Sequence, residues 1–452
     1  MTFELGGAMR RHLLVLMCVV LGGTGMMSAE AAQPFERYPR QPRSLPSPPG
    51  WFRVTRVDGR WWMLDPGGHR FISLGINNVS LSPDVIQGTN RSPYQEAVVA
   101  KYGRQSAWAE AVVQRLRGWG FNTLGAWSDR TVCEQGMPYT VMLDFSRQVD
   151  LGEEQTFPDV FAPAYRRGAR SRAEAVCQSL SDDHMLVGYF TDNELRWGPD
   201  WRSEETLFVE YLRLGDSAPG RLALLRFLEN RYLTIGELNQ VWGTDYESFE
   251  EVGRTPQVGS RIPEVDESDF LRLIAQRYFW VAAEAIRAVD RQHLILGCRF
   301  AGYAPGPVLE GMGEHVDVVS VNHYEVHPPV DLLRRIHRTV GKPVLITEFG
   351  FRARDSGLPN STGAGPVVDT QQERAEHFER YVEELMALPM VVGYHWFEHA
   401  DQPAEGRFDG ENGNCGVVNI ADEPYAALVD TMTRVNGRMT VRANGRLGPL
   451  PQ

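Results

Sequence analysis

Polar and apolar positions along the chain fall into a repeating order of two kinds of block. One kind is a short continuous apolar run: Phe71–Ile76, Phe121–Trp127, Tyr139–Phe145, Met185–Phe190, Leu294–Phe300, Val316–Val321, Val344–Phe349 and Val391–Phe397. Continuous runs, as opposed to strict alternation, are what strands of a parallel sheet covered on both faces require. The other kind has helical period. Trp108, Val112, Leu116 and Trp119 share one face, as do Ile274, Tyr278, Val281, Ala285 and Ala288. Thr370 and Glu373 form a capping box ahead of Ala375, Phe378, Val382 and Leu385. Eight such strands alternating with helices predict an α/β fold of the (β/α)8 TIM-barrel type.

Two intervals depart from a minimal barrel. Ninety-nine residues, 195–293, lie between the fourth and fifth runs, far more than an ordinary connection, and their periodic segments Leu224–Tyr232 and Leu238–Trp242 predict a helical insertion. The Gly-, Pro- and Ser-rich stretch Phe351–Asp369 after the seventh run is expected to form a rim or lid. Arg10 and Arg11, the apolar run Leu13–Leu21 and the small residues Ser28, Ala29, Ala31 and Ala32 have the order of a signal peptide over residues 1–32. The expected organisation is therefore signal 1–32, lead-in 33–50, catalytic barrel 51–440 with its insertion, and tail 441–452. The mature chain is expected to be exported, to the periplasm or beyond. No later stretch is long and apolar enough to span a bilayer. Cys133, Cys177, Cys298 and Cys415 would then meet an oxidising compartment, where three pairings are open to them.

Composition narrows the partner. With 46 Lys plus Arg against 58 Asp plus Glu, the formal net charge of −12 disfavours nucleic acid, anionic lipid and sulfated glycans. Aromatic residues make up 10% of the chain, with 11 Trp, and such rings suit the faces of neutral sugars. The oligomeric state is not readable.

Barrel chemistry is sought where strands end. The fourth run ends in Asp192-Asn193-Glu194 and the seventh in Thr347-Glu348-Phe349. Two carboxyls facing each other across a barrel mouth are the equipment of a retaining glycosidase, one as acid/base and one as nucleophile, roughly 5 to 5.5 Å apart. A strand-end Glu by itself is more often a salt-bridge partner; it is the conjunction that points to catalysis. Metal chemistry is disfavoured: His323 and His327, like His395 and His399, stand about 13 Å apart along a strand, and no HExxH, GxSxG, Walker or GxGxxG motif is present. No cofactor is expected.

Asn193-Glu194, Glu348 and Trp396 resemble the pattern of glycoside hydrolase clan A. More narrowly, residues 188–194 (GYFTDNE), 71–77 (FISLGIN) and 410–414 (GENGN) are similar to motifs of family 50 β-agarases and family 42 β-galactosidases. The resemblance implies a retaining β-glycosidase, with Glu194 as acid/base, Glu348 as nucleophile and Asn193 bonded to the sugar 2-hydroxyl. Trp396 would be the stacking floor, with a core Trp as the competing reading. Tyr324, after Asn322 and His323, would hold Glu348 ionised. Arg299 would pair with Glu348 or bind a hydroxyl. Asn77, Asn78, Trp127 and Glu411 are further subsite candidates, and the polar run from Glu398 to Asn414 either binds hydroxyls or forms a solvated loop. The expected substrate is a neutral β-galactan of agarose type. The alternatives are a transglycosylase or a β-glucan- or β-mannan-active enzyme on the same mechanism, and, outside catalysis, a sugar-binding barrel.

Overall fold

A computed structural model describes residues 50–151, 155–254 and 261–443; the expected signal peptide and most of the lead-in and tail lie outside them. The chain opens with a three-stranded antiparallel sheet, β1 (Arg53–Val57), β2 (Arg60–Leu64) and β3 (Arg70–Phe71). The expected strand 71–76 thus divides, Phe71 joining this sheet. The signal for the β1–β2 hairpin is Asp58-Gly59: both residues have positive φ, 51° and 80°, as a two-residue turn that follows the strand twist requires.

A curled parallel sheet of nine strands follows: β4 (Ser73–Ile76), β5 (Thr123–Leu124), β6 (Tyr139–Met142), β7 (Leu186–Phe190), β8 (Leu294–Ile295), β9 (Phe300–Ala301), β10 (Val319–Asn322), β11 (Val344–Glu348) and, after the small parallel pair β12 (Arg352–Ala353) and β13 (Val367–Val368), β14 (Val391–Trp396). Its order is β8-β7-β6-β5-β4-β14-β11-β10-β9. All eight apolar runs supply strands, but the pairing is shorter than the runs, and the fifth run is divided into the two edge strands β8 and β9. Between them, the Leu296 N–H donates to Tyr189 O (2.8 Å) on one side, while Ile295 O accepts from Asp317 (2.9 Å) and Val318 (3.2 Å) on the other.

Side chains of the curl sort into two cores. On β7, Leu186 and Tyr189 face the helices while Val187 and Phe190 face inward; on β11, Val344 and Ile346 oppose Leu345. The inner cluster receives Phe52 and Met63 from the N-terminal sheet. That sheet lies across the N-terminal ends of the strands. Trp61 N–H donates to Pro389 O (2.7 Å), and the Trp51 ring packs on His184 and His293, which immediately precede β7 and β8. Close strand approach also restricts side chains: a Cβ on Gly393 would lie 2.3 Å from Ser73 O.

The insertion folds as helices Leu207–Leu212, Pro219–Tyr232 and Ile235–Trp242, before the long helix Glu264–Val289 that packs on the sheet. On that helix Ala288 is exposed, in contrast to the expected face, because the last turn packs on the core through Ile286 and Val289 instead. Thr370 caps helix Gln371–Ala387 as predicted, although Glu373 reaches back to the Asp369 N–H (2.9 Å) instead of that of Thr370. The final helix, Ala426–Ala443, crosses the expected boundary at 440. The four cysteines are buried free thiols.

Candidate active site

A cavity of about 1180 Å³ opens at the C-terminal ends of the parallel strands. The backbone there is unusual. Asn78, Trp127, Asp144, Glu194 and Arg299, which follow β4, β5, β6, β7 and β8, all have left-handed φ of 50–61°. Such conformations are costly for residues with side chains, above all for Trp, and concentrate where function over-determines structure. Asn78, Trp127, Asp144 and Glu194 line the cavity from these turns, and Arg299 lies buried behind it.

Glu194 and Glu348 both line the cavity. The Glu194 carboxyl accepts from Asn322 Nδ2 (2.9 Å), which also reaches Asn193 Oδ1 (3.2 Å); Asn322 Oδ1 in turn accepts from the hydroxyl of Thr347 (2.7 Å), the residue before Glu348. One amide thus ties together the ends of β7, β10 and β11. Beneath them, Asp192 accepts from the Ser146 N–H (2.8 Å) and hydroxyl (2.6 Å) and from the Tyr278 hydroxyl (2.5 Å), anchoring the turn that carries Asn193 and Glu194. Burial pushes Asp192 up to about 7.

Glu348 is buried. Tyr324 donates its phenol to Oε2 (2.5 Å), and Arg299 Nη2 lies 2.8 Å from Oε1. Arg299 is itself fully buried, stacked under Trp127 with 4.3 Å from guanidinium to ring centroid, and Nη2 also donates to Thr347 O (3.0 Å). Burial raises the Glu348 carboxyl to about 7, helped by the charge of Glu194 and opposed by Arg299 and by the Tyr324 hydrogen bond. His323 lines the same wall and is driven down to about 4 by burial, so it is neutral at pH 7.

The other wall is acidic. Arg407 is shared by Glu411 (2.7 Å), Asp409 (3.1 Å), Asp84 (3.5 Å) and Glu398 (3.7 Å). Burial raises Asp84 to about 6, and its Oδ2 has no hydrogen-bond partner within the protein. Asn78 donates to Glu398, and Gln402 links Glu398 (3.3 Å) to Glu411 (2.9 Å). Within the polar run 398–414, Glu398, His399, Asp401, Gln402 and Asn414 are buried, Arg407 and Glu411 are half-buried, and Glu405, Phe408 and Asp409 are exposed. The stretch Phe351–Asp369 supplies part of the rim through Thr362, Gly363 and Ala364, and is braced by Arg352, which donates to the carbonyls of Thr362 (3.0 Å), Gly363 (2.8 Å) and Gly365 (2.9 Å).

Asn193, Asn322, His323, Tyr324, Trp127 and Glu411 are brought together with the two glutamates. Two expected contacts are corrected. Trp396 is 0% exposed and points to the helix side, with its Nε1 bonded to Cys415 O (2.9 Å); the next residue, Phe397, faces the cavity. Asn77 is buried below the rim, its amide bonded to Thr347 O (2.8 Å) and Trp396 O (3.1 Å), while Asn78 reaches the cavity. Of the two readings of Arg299, the pairing with Glu348 is the one present (2.8 Å), made from behind Trp127 and away from the cavity lining. Asp84, Trp201, Tyr303, Phe397 and Phe408 also line it and were not singled out from sequence; they stand in loops or one position off the strand pattern, with no motif around them. Among the described residues no group of three or more His, Cys, Asp or Glu is placed to hold a metal ion.

The chain is similar to known proteins. The glycoside hydrolase 42 β-galactosidase family model matches residues 141–342, which relates the chain to the glycoside hydrolases. More particularly, the chain is 30% identical to β-agarase A of Vibrio sp. (strain JT0107) over 87% of its own length and 46% of that protein; it spans about half of this relative. Among solved structures, an agarase superposes with a TM-score of 0.78 at 27% identity, covering 90% of this chain and 67% of the other. An exo-β-agarase superposes with a TM-score of 0.77 at 25% identity, covering 88% and 66%.

Proposed function

We propose that this chain is an exported, retaining β-glycoside hydrolase that cleaves a neutral galactan of agarose type on a (β/α)8 barrel, closed by β8 and β9 as halves of one strand and carrying helices Leu207–Leu212, Pro219–Tyr232 and Ile235–Trp242 as an insertion after β7. The observation that carries this reading is the meeting of Glu194 and Glu348, from the ends of β7 and β11, in one cavity, each held by its own partners. Glu348, oriented by Tyr324 and Arg299, attacks the anomeric carbon; Glu194, held by Asn322, protonates the leaving oxygen, and then removes a proton from the water that releases the covalent intermediate. Asn193 bonds the 2-hydroxyl as the transition state gains oxocarbenium character. The β-agarase similarity supports the sugar class. So does the acidic wall around Arg407, whose carboxylates accept from hydroxyls and repel sulfate.

Proton NMR of a digest of neoagaro-oligosaccharides, with β-gluco- and β-manno-oligosaccharides alongside, tests the reading. First release of the β-anomer from the galactan series is expected, with Glu348→Gln inactive and Glu194→Gln still active on substrates whose leaving groups need no acid. New longer products would show transfer to a sugar acceptor. Turnover by Glu348→Gln equal to wild type, or release of the α-anomer first, would overturn the mechanism.

A further inference from the structure

A second cavity, about 310 Å³, lies between the inserted segment and the loop after β9. That volume is at the lower end for small-molecule sites. It is not isolated: Trp201, Ala301 and Tyr303 line both it and the main cavity. Trp201 is 73% exposed and Tyr303 61% exposed, so two large rings stand in solvent where the cavities join. An exposed Trp forgoes much burial energy, and such rings on a sugar-related cleft are natural stacking faces.

The Trp201 ring is held in place. Asp200 and Ser203 exchange backbone hydrogen bonds (2.9 and 3.2 Å), and the Arg202 guanidinium lies 4.6 Å from the ring centroid while bonded to Asp200 Oδ2 (2.5 Å). Arg202 Nη1 also donates to the main-chain carbonyl of Glu194 (2.7 Å). The platform is thereby coupled to the residue that delivers the proton to the leaving group. Deeper in the second cavity, Thr206 and Glu267, hydrogen-bonded to each other (2.7 Å), and Ser268 supply polar atoms for hydroxyls, beside Leu271 and Phe208.

We propose that the second cavity is a distal sugar-binding site on the leaving-group side, taking the reducing-end units of the same neutral oligosaccharide that occupies the main cavity. This rests on the glycosidase reading above. Trp201 and Tyr303 stack the sugar unit at the junction, and the Thr206–Glu267–Ser268 wall receives the unit beyond it.

The test is a length series of reducing-end-labelled neoagaro-oligosaccharides with wild type, Trp201→Ala and Ser268→Trp, which fills the cavity. Wild type is expected to gain about tenfold in kcat/KM between the shortest and longest substrates, the worth of one good stacking contact. Both variants should remove most of that gain through KM, and Trp201→Phe should restore it. An equal loss at every length, or a wild type indifferent to length, overturns the proposal. If wild type cleaves none of the series, the glycosidase reading fails separately. Calorimetric titration of Glu348→Gln then decides: affinity that rises with length and is lost in Glu348→Gln with Ser268→Trp upholds the site, and its absence removes it.

Discussion

Glu348 sits where burial and charge pull in opposite directions. Burial and Glu194 favour its protonated form; Arg299 and the Tyr324 phenol favour the carboxylate, and the balance lies at about 7. On the proposed mechanism Glu348 is the nucleophile and must be ionised, so kcat/KM is expected to rise with pH along a limb displaced from the ordinary carboxylate range towards 7. Tyr324→Phe removes an influence that favours ionisation, so it should move that limb further up as well as slow the reaction; a pH–rate profile checks both. Stability carries the same sign. A folded-state value raised above that of the unfolded chain contributes stability below about pH 4.5 that is lost as pH rises through about 7. Glu348→Gln, neutral at every pH, should therefore melt with wild type at pH 4.5 and above it at pH 8, by roughly 1–3 kcal/mol. At this scale the sequence was legible where a side chain ends a strand or stands within a few residues of its end, as Glu348, Tyr324 and Glu194 do. It misled by one position at Trp396 and Phe397, because neighbouring residues of a strand point to opposite sides and only packing decides which side is the floor.

The strands were legible as elements because both faces of the sheet are buried, leaving unbroken apolar runs. Their ends were not. Trp127 and Arg299 are apolar or follow apolar neighbours, so the runs continue through them, while their left-handed backbones end or interrupt the pairing. The β1–β2 hairpin carried its own signature in Asp58-Gly59. The rim segment 351–369 reads as irregular from composition alone, since what orders it is bonding of side chains to its backbone, by Arg352 within it and by Glu411 and Asn412 from the facing loop. Arg352→Ala removes three hydrogen bonds to rim carbonyls, and each of those carbonyls would otherwise need a new partner. It should raise KM several-fold with a smaller effect on kcat, and make the 357–366 segment the first site of limited proteolysis; unchanged cleavage kinetics there would refute the bracing role.

For the molecule as a whole, the N-terminal sheet completes the inner core. Phe52 and Met63 fill the end of the curl opposite the cavity, so Phe52→Ala leaves a hole there and should cost about 3–5 kcal/mol in denaturant melts, with the reaction at the far end intact at low temperature. No periodicity announces this, because it depends on two elements far apart in sequence. The same plug has a kinetic meaning. Among the described residues that end of the curl is packed, so in the proposed glycosidase substrate and product both use the cavity side of the sheet. Traffic of that kind makes released fragments compete with fresh chains for entry: added product should raise the apparent KM and leave kcat untouched, and brisk removal of short fragments by a downstream glycosidase should quicken digestion of the polymer.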